Sequence, residues 1–254
     1  MEQAAEVDRG PVKRDGTGPS PSRLRLNVEV RALTFDVFGT LLDWRSTIAA
    51  AFRDSGLEAD PEELADDWRT RALAATQEVN QNKRPWTTFD GLHEITLVEL
   101  LDERDLELAN EDRAGLVRAW HELSPWPGVR AGLTSLRRDR VVAALSNGNM
   151  ALLVDLVRHG DLRFDCLLSA ELAQVYKPEA EVYLTGVRLL GLKPGGVMMV
   201  AAHPMDLEGA RGAGLRTAFI DRPLEYGPHS PAREDPKADL SVKELEELAA
   251  RLEG

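Results

Sequence analysis

The chain of 254 residues has one cysteine, Cys166, so no internal disulfide can form and a reducing, cytoplasmic compartment is expected. The flanking residues, Phe164 to Leu168, are largely apolar, which reads as a buried and inert thiol. No apolar run approaches the roughly eighteen residues of a membrane span. The first 28 residues lack the apolar stretch of a secretory leader, and their mixture of charge, Gly and Pro gives an expected disordered tail over residues 1–27. Positive charge is also short, with 31 Lys and Arg against 43 Asp and Glu, net −12, which argues against nucleic acid or an anionic membrane as the main partner. No internal repeat is present. At 43% hydrophobic and 29% charged, the remainder is long enough for one large domain, or for a core with an inserted subdomain.

The run Arg31-Ala32-Leu33-Thr34-Phe35 reads as a buried strand, and from Pro125 onward strands alternate with helices. Strands are expected at 141–145, 165–169, 197–201 and 216–220, with helices at 149–159, 179–190 and 206–213 between them. Such spacing requires parallel pairing with right-handed crossovers. The final helix is expected over Ser241 to Leu252, opened by Ser241 with Glu244 three residues on. Residues 45–124 have helical spacing throughout. Leu64, Trp68, Ala72 and Ala75 share one face of a helix that Pro61 opens, Leu92, Ile95, Leu97, Leu100 and Leu101 mark another, and Leu108 to Leu123 a third. His93 and His121 fall in these helices and read as packed or solvated residues. The expected fold class is therefore α/β: a Rossmann-like parallel-sheet core from residues 28–44 and 125–254, with an inserted all-helical cap over residues 45–124.

Polar residues collect where these strands end. Asp36 follows the first strand, with Gly39 allowing a sharp exit. Ser146-Asn147-Gly148 follows the second, Lys177-Pro178 lies beyond the third, and His203 and Asp206 follow the fourth. Ligands of open α/β sheets bind outside the carboxyl ends of the strands, so these groups should share one crevice. Singly, each also reads as a helix cap or a surface residue. Together they supply a carboxylate nucleophile, an ammonium to keep it ionised, hydroxyl and amide donors, and a second acid.

The ordered set Asp36-Val37-Phe38-Gly39-Thr40, Ser146-Asn147, Lys177-Pro178 and Asp206 resembles the four motifs of the haloacid dehalogenase superfamily over residues 31–222. Within it the chain is most similar to the type II L-2-haloacid dehalogenases, through Ser146-Asn147-Gly148, Val175-Tyr176-Lys177-Pro178, Tyr183 and the dipeptide Trp68-Arg69. The resemblance implies that Asp36 attacks the halogen-bearing carbon of a short 2-haloalkanoic acid, and that water then hydrolyses the aspartyl ester. It implies Arg69 and Asn147 at the departing halide, and Ser146 with adjacent amides at the substrate carboxylate. Thr40 and Lys177 would orient Asp36, Asp206 would fix Lys177 and help activate water, and Phe38 and Tyr183 would border the substrate. No cofactor or metal is implied, and a homodimer is.

Three positions differ from the type II pattern. Phe38 stands where a tyrosine is usual, Ala201 where a serine is, and His203 where an asparagine is. His203 could serve there as base or donor, or as a structural histidine. A magnesium-dependent phosphatase would resemble Asp-x-Asp in the first motif, where this chain has Phe38, and would need further oxygen ligands near Ala201-Ala202-His203. A non-catalytic member that binds a small acid is the other alternative.

Overall fold

Short, largely buried runs that alternate with amphipathic helices build a six-stranded parallel sheet in the computed structural model, which describes residues 29–253. The expected tail, residues 1–27, lies outside the described residues. The chain enters through β1 (Ala32–Phe35), makes the two-residue strand β2 (Leu42–Asp43), and runs through α1 (Trp44–Asp54), α2 (Pro61–Asn80), α3 (Phe89–Glu103) and α4 (Asn110–Ala119). It returns by β3 (Ser124–Pro125), antiparallel to β2. Then follow α5 (Val129–Leu136), β4 (Val141–Ser146), α6 (Met150–His159), β5 (Cys166–Ser169), α7 (Ala180–Leu189), β6 (Val197–Ala201), α8 (Pro204–Gly212), β7 (Arg216–Ile220), β8 (Leu240–Val242) and α9 (Leu245–Glu253). This is the α/β, Rossmann-like architecture expected.

The order β5-β4-β1-β6-β7-β8 puts β1 in the middle. After β5 the chain crosses to the far side of β1 to form β6, so a crevice opens at the carboxyl ends of β4, β1 and β6. The registers, Phe35 beside Ala144 and Val200, bring Asp36, Ser146 and Ala201 to that edge.

Local chemistry explains the helices around it. Asp60 caps α2 by accepting from the Glu63 N–H, Pro61 sits in its first turn, and Glu62 and Glu63 oppose the dipole. Its buried face carries Leu64, Trp68, Ala72, Ala75 and Val79, with Arg69 between them. The far end of α2 is tied to the β5–α7 connection: Asn80 Nδ2 donates to the Tyr176 carbonyl at 2.9 Å, and Asn80 Oδ1 accepts from the Tyr176 N–H at 2.8 Å. Those two bonds hold α2 over the carboxyl edge of the sheet.

Several local expectations need correction. Ser241 lies in β8 rather than at a helix cap, because pairing with β7 captures it, and α9 begins only at Leu245. The third helix of the insertion is shorter than Leu108 to Leu123, and His121 lies just past it, between Asp90 and Asp155 at 3.2 and 2.8 Å. Ile95, placed on a packed face, is exposed. The fourth helix of the alternating half starts at Pro204, so Asp206 stands in its first turn. Cys166 is half-buried, and burial pushes its thiol pKa up, which fits an inert side chain. No described helix is long and apolar enough to cross a membrane.

Gly39 has φ +77°, and a Cβ there would overlap the Glu225 carboxylate. We expect Gly39→Ala to lower stability by about 1–3 kcal/mol through the left-handed backbone and that clash. An unchanged denaturant midpoint would contradict this.

Candidate active site

β1 delivers Asp36, whose N–H still donates to Val200 O at 3.0 Å and so fixes the residue at the strand end. Its Oδ2 accepts from Thr40 Oγ1 at 2.7 Å and contacts His203 Nδ1 at 2.9 Å, while Oδ1 accepts from Lys177 Nζ at 3.2 Å. Lys177 also donates to Asp206 Oδ2 at 2.7 Å, and Asp206 Oδ1 accepts from the Tyr183 hydroxyl at 2.6 Å. Thr40 Oγ1 accepts from the Ala202 N–H at 3.0 Å, so its proton points to Asp36.

The electrostatics separate the two acids. Burial raises the Asp36 carboxyl, but Lys177 and His203 outweigh it and hold the group far below the usual carboxylate range. Asp206 is pushed up by burial, against the pull of Lys177 and with the added repulsion of Asp36. Burial lowers Lys177, yet Asp206 and Asp36 together raise it, so it stays an ammonium. One carboxylate is thus fixed as an anion and the other is made a better proton acceptor, the division that acid–base chemistry needs.

These groups open onto a cleft of about 430 Å³, walled by Leu73, Ala74 and Gln77 of α2, Phe89 of α3, and Phe38, Asn147, Pro178 and Met205. Arg69 reaches it from α2. The residue is 5% exposed, and its Nε and Nη1 are buried with no hydrogen-bond partner among the described residues. Instead it lies 5.5–6.0 Å from the ring centres of Phe38, Trp44, Trp120 and Phe89. A buried cation without a counter-anion is a receptor for one.

Asp36, Phe38, Arg69, Asn147, Lys177, His203 and Asp206 all line this cleft. Asn147 Oδ1 accepts from the Lys177 N–H at 2.9 Å, leaving its Nδ2 for a ligand. Ser146 is fully buried and accepts from the Gly148 N–H at 3.2 Å, so it shapes the turn that presents Asn147. Thr40 and Tyr183 stand behind the cleft, their hydroxyls committed to Asp36 and Asp206. Trp44 and Trp86 are packing residues, against Trp120 and Tyr176 respectively.

Sequence reasoning missed Glu225, Tyr226 and Arg233, from the connection between β7 and β8. Glu225 Oε1 is 2.9 Å from His203 Nε2, and Arg233 donates to Glu225 Oε2 at 3.0 Å. The strand-end rule that found Asp36 also applies beyond β7, where Leu224-Glu225-Tyr226 follows a loop. His93, read from the sequence as a packed or solvated helix residue, is fully buried and stacks on Trp120 with ring centres 4.2 Å apart, and the ring nitrogens of both have no hydrogen-bond partner among the described residues. Burial and then the nearby Arg69 lower the His93 pKa to about 3, so it is neutral.

A divalent cation does not suit this donor set. Both oxygens of Asp36 already face an ammonium, an imidazole and a hydroxyl, and no cluster of three or more His, Cys, Asp or Glu able to hold a metal occurs among the described residues.

A parallel sheet that presents an ionised carboxylate beneath a cationic, apolar-walled cleft places the chain among the hydrolases built on a Rossmann-like α/β core. The sequence profile of the haloacid dehalogenase-like hydrolases matches residues 30–214, and the chain belongs to that family. It is 32% identical over 196 residues to an (S)-2-haloacid dehalogenase of Pseudomonas sp. (strain YL), covering 76% of this chain and 83% of that one. It is 31% identical over 232 residues to (S)-2-haloacid dehalogenase 1 of Pseudomonas sp. (strain CBS-3), covering 88% and 98%. The crystal structure of the L-2-haloacid dehalogenase PA0810 matches with a TM-score of 0.84 at 43% identity, over 88% of this chain and 99% of that one.

Proposed function

We propose that the protein is a cofactor-independent (S)-2-haloacid dehalogenase acting on short 2-haloalkanoic acids through an ester of Asp36. The observation that carries this reading is the buried Arg69 guanidinium without a partner, which shares a cleft with an ionised, buried carboxylate. Asp36 displaces halide from the α-carbon with inversion. The halide leaves toward Arg69, whose fixed charge stabilises the developing anion, with Asn147 Nδ2 as a second donor. Asn147, close to the N-terminus of α6, also donates to the substrate carboxylate. Lys177 and Thr40 hold Asp36, Tyr183 and Lys177 hold Asp206, and Asp206 takes a proton from the hydrolytic water. Phe38 and Phe89 close the apolar wall, which favours a short chain on the substrate.

In this proposal residues 45–124, which hold helices α1 to α4 except for Trp44 at the start of α1, act as a cap that brings Arg69 over a core of residues 28–44 and 125–254. Relatives named as (S)-2-haloacid dehalogenases support the substrate class. The proposal includes a cytoplasmic homodimer. Its support is the single cysteine and the exposed pair Ile95 and Val98, one turn apart on α3.

A halide-release screen tests the function: chloro-, bromo- and fluoroacetate and both 2-chloropropionate enantiomers, with and without chelator. Release from the S enantiomer, indifferent to chelator, is expected. Loss of activity with chelator, or hydrolysis of phosphate esters in place of haloacids, would overturn the reading.

A further inference from the structure

His203 lies between two carboxylates, with Nδ1 at 2.9 Å from Asp36 Oδ2 and Nε2 at 2.9 Å from Glu225 Oε1. A ring with an acceptor at each nitrogen satisfies both only as an imidazolium that donates twice. Glu225 is almost completely buried and is itself pinned, by Trp44 Nε1 at 3.2 Å on the same oxygen and by Arg233 Nη1 at 3.0 Å on the other.

The two oxygens of Asp36 are unequal. Oδ2 has the Thr40 hydroxyl and the His203 ring, at 2.7 and 2.9 Å, whereas Oδ1 has only Lys177, at 3.2 Å. The lone pairs of Oδ1 are the freer ones, so Oδ1 makes the bond to carbon and Oδ2 becomes the carbonyl oxygen of the ester. That atom collects negative charge when water adds.

We infer that Glu225 is a positioning residue that keeps His203 an imidazolium, and that His203 and Thr40 form an oxyanion hole on Asp36 Oδ2 for hydrolysis of the ester. The inference rests on the aspartyl-ester reading above. It assigns His203 as a donor and not as the base that deprotonates water.

The step balances as follows. The water oxygen bonds to Asp36 Cγ while its proton passes to Asp206, and the carbonyl π electrons move to Oδ2. On collapse the Cγ–Oδ1 bond breaks, the departing hydroxy-acid oxygen takes the proton from Asp206, and the regenerated Asp36 carboxyl loses its own proton to solvent. Oδ2 is anionic only between these events, and two donors preorganised on it need no rearrangement.

Charge explains why Glu225 is needed. Burial pushes the His203 ring down, but Glu225 and Asp36 outweigh it and raise its pKa to about 10. Esterification removes the charge of Asp36, and Glu225 is then the one carboxylate still hydrogen-bonded to the ring. Lys177 lies one hydrogen bond further, through Asp36, with Asp206 beyond Lys177, Arg233 lies beyond Glu225, and Arg69 faces the same cleft from α2.

The test is single-turnover rapid quench with (S)-2-chloropropionate over a broad pH range, with mass spectrometry of the Asp36 peptide to follow formation and decay of the ester separately. In the wild type, decay should slow at alkaline pH. Glu225→Gln should move that limb down by about one to three pH units, the usual influence of one adjacent carboxylate, with ester formation little changed. His203→Gln, which keeps an amide donor and cannot titrate, should decay slowly and without the limb. Decay that accelerates as the ring deprotonates would make His203 the base and overturn the inference, as would a limb unmoved in Glu225→Gln or persisting in His203→Gln. If no haloacid forms an ester, the dehalogenase reading itself fails and the inference falls with it.

Discussion

Asp36→Asn should lower turnover by on the order of 10⁴-fold or more, since a carboxamide cannot displace halide and nucleophile removal has costs of that order or larger. The variant should still fold. Lys177 keeps Asp206, and His203 keeps Glu225, so neither cation loses its last acceptor. Stability should nevertheless fall by about 3 kcal/mol at neutral pH, because one member of a buried charge cluster is removed. The pH dependence has a fixed sign. Asp36 has a depressed pKa in the folded state, so its contribution is present above the unfolded value of about 3.9 and is lost as pH falls through the folded one. The gap between wild type and variant in thermal melts should therefore narrow in acid. Full activity in the variant would remove Asp36 from the chemistry.

Arg69→Met should show the opposite pairing of effects. Activity should drop by about 10²–10³-fold, the usual loss when one donor to a developing anion is removed, while stability should stay level or rise. The guanidinium is buried, two of its nitrogens lack partners among the described residues, and four aromatic rings surround it. Attraction to the ring faces offsets only part of the desolvation, and a flexible thioether packs well between such rings. Bromide or chloride should raise the melting temperature of the wild type in proportion to occupancy of the site, and should leave Arg69→Met unmoved beyond the general salt effect. A marked fall in stability without halide would mean that Arg69 serves packing rather than anion capture.

What the sequence made legible follows from what is local in it. β1, β4, β6 and β7 are runs buried on both faces over most of their length, which leaves a largely apolar signature, and the rule for strand ends then brings Asp36, Asn147, His203 and Asp206 to one edge without knowledge of any contact. Arg69 was visible only beside Trp68, through the resemblance, because helical spacing says which face is buried and not which residue of it meets a cleft. β8 was hidden, since Ser241 and Glu244 have the spacing of a helix cap and only pairing with β7, some twenty residues earlier, makes Leu240–Val242 a strand. Glu225 was hidden for a related reason. Its partners, His203 and Trp44, are far away in the chain, and no periodicity marks an acid buried by a loop.

The clasp of β2 against β3 separates two kinds of inheritance. The places where the chain enters and leaves the stretch of helices α1 to α4 are paired neighbours in a separate two-stranded sheet, Leu42 beside Pro125 and Asp43 beside Ser124. Loop closure is thus settled in four residues, whatever lies between them. Leu73, Ala74 and Phe89, which shape what fits above the carboxylate, belong to the enclosed stretch, whereas Asp36, Lys177 and Asp206 do not. Wall residues of the enclosed helices can therefore be exchanged while Asp36, Lys177 and Asp206 stay in place, with Arg69 the one proposed reacting group that such exchange must spare.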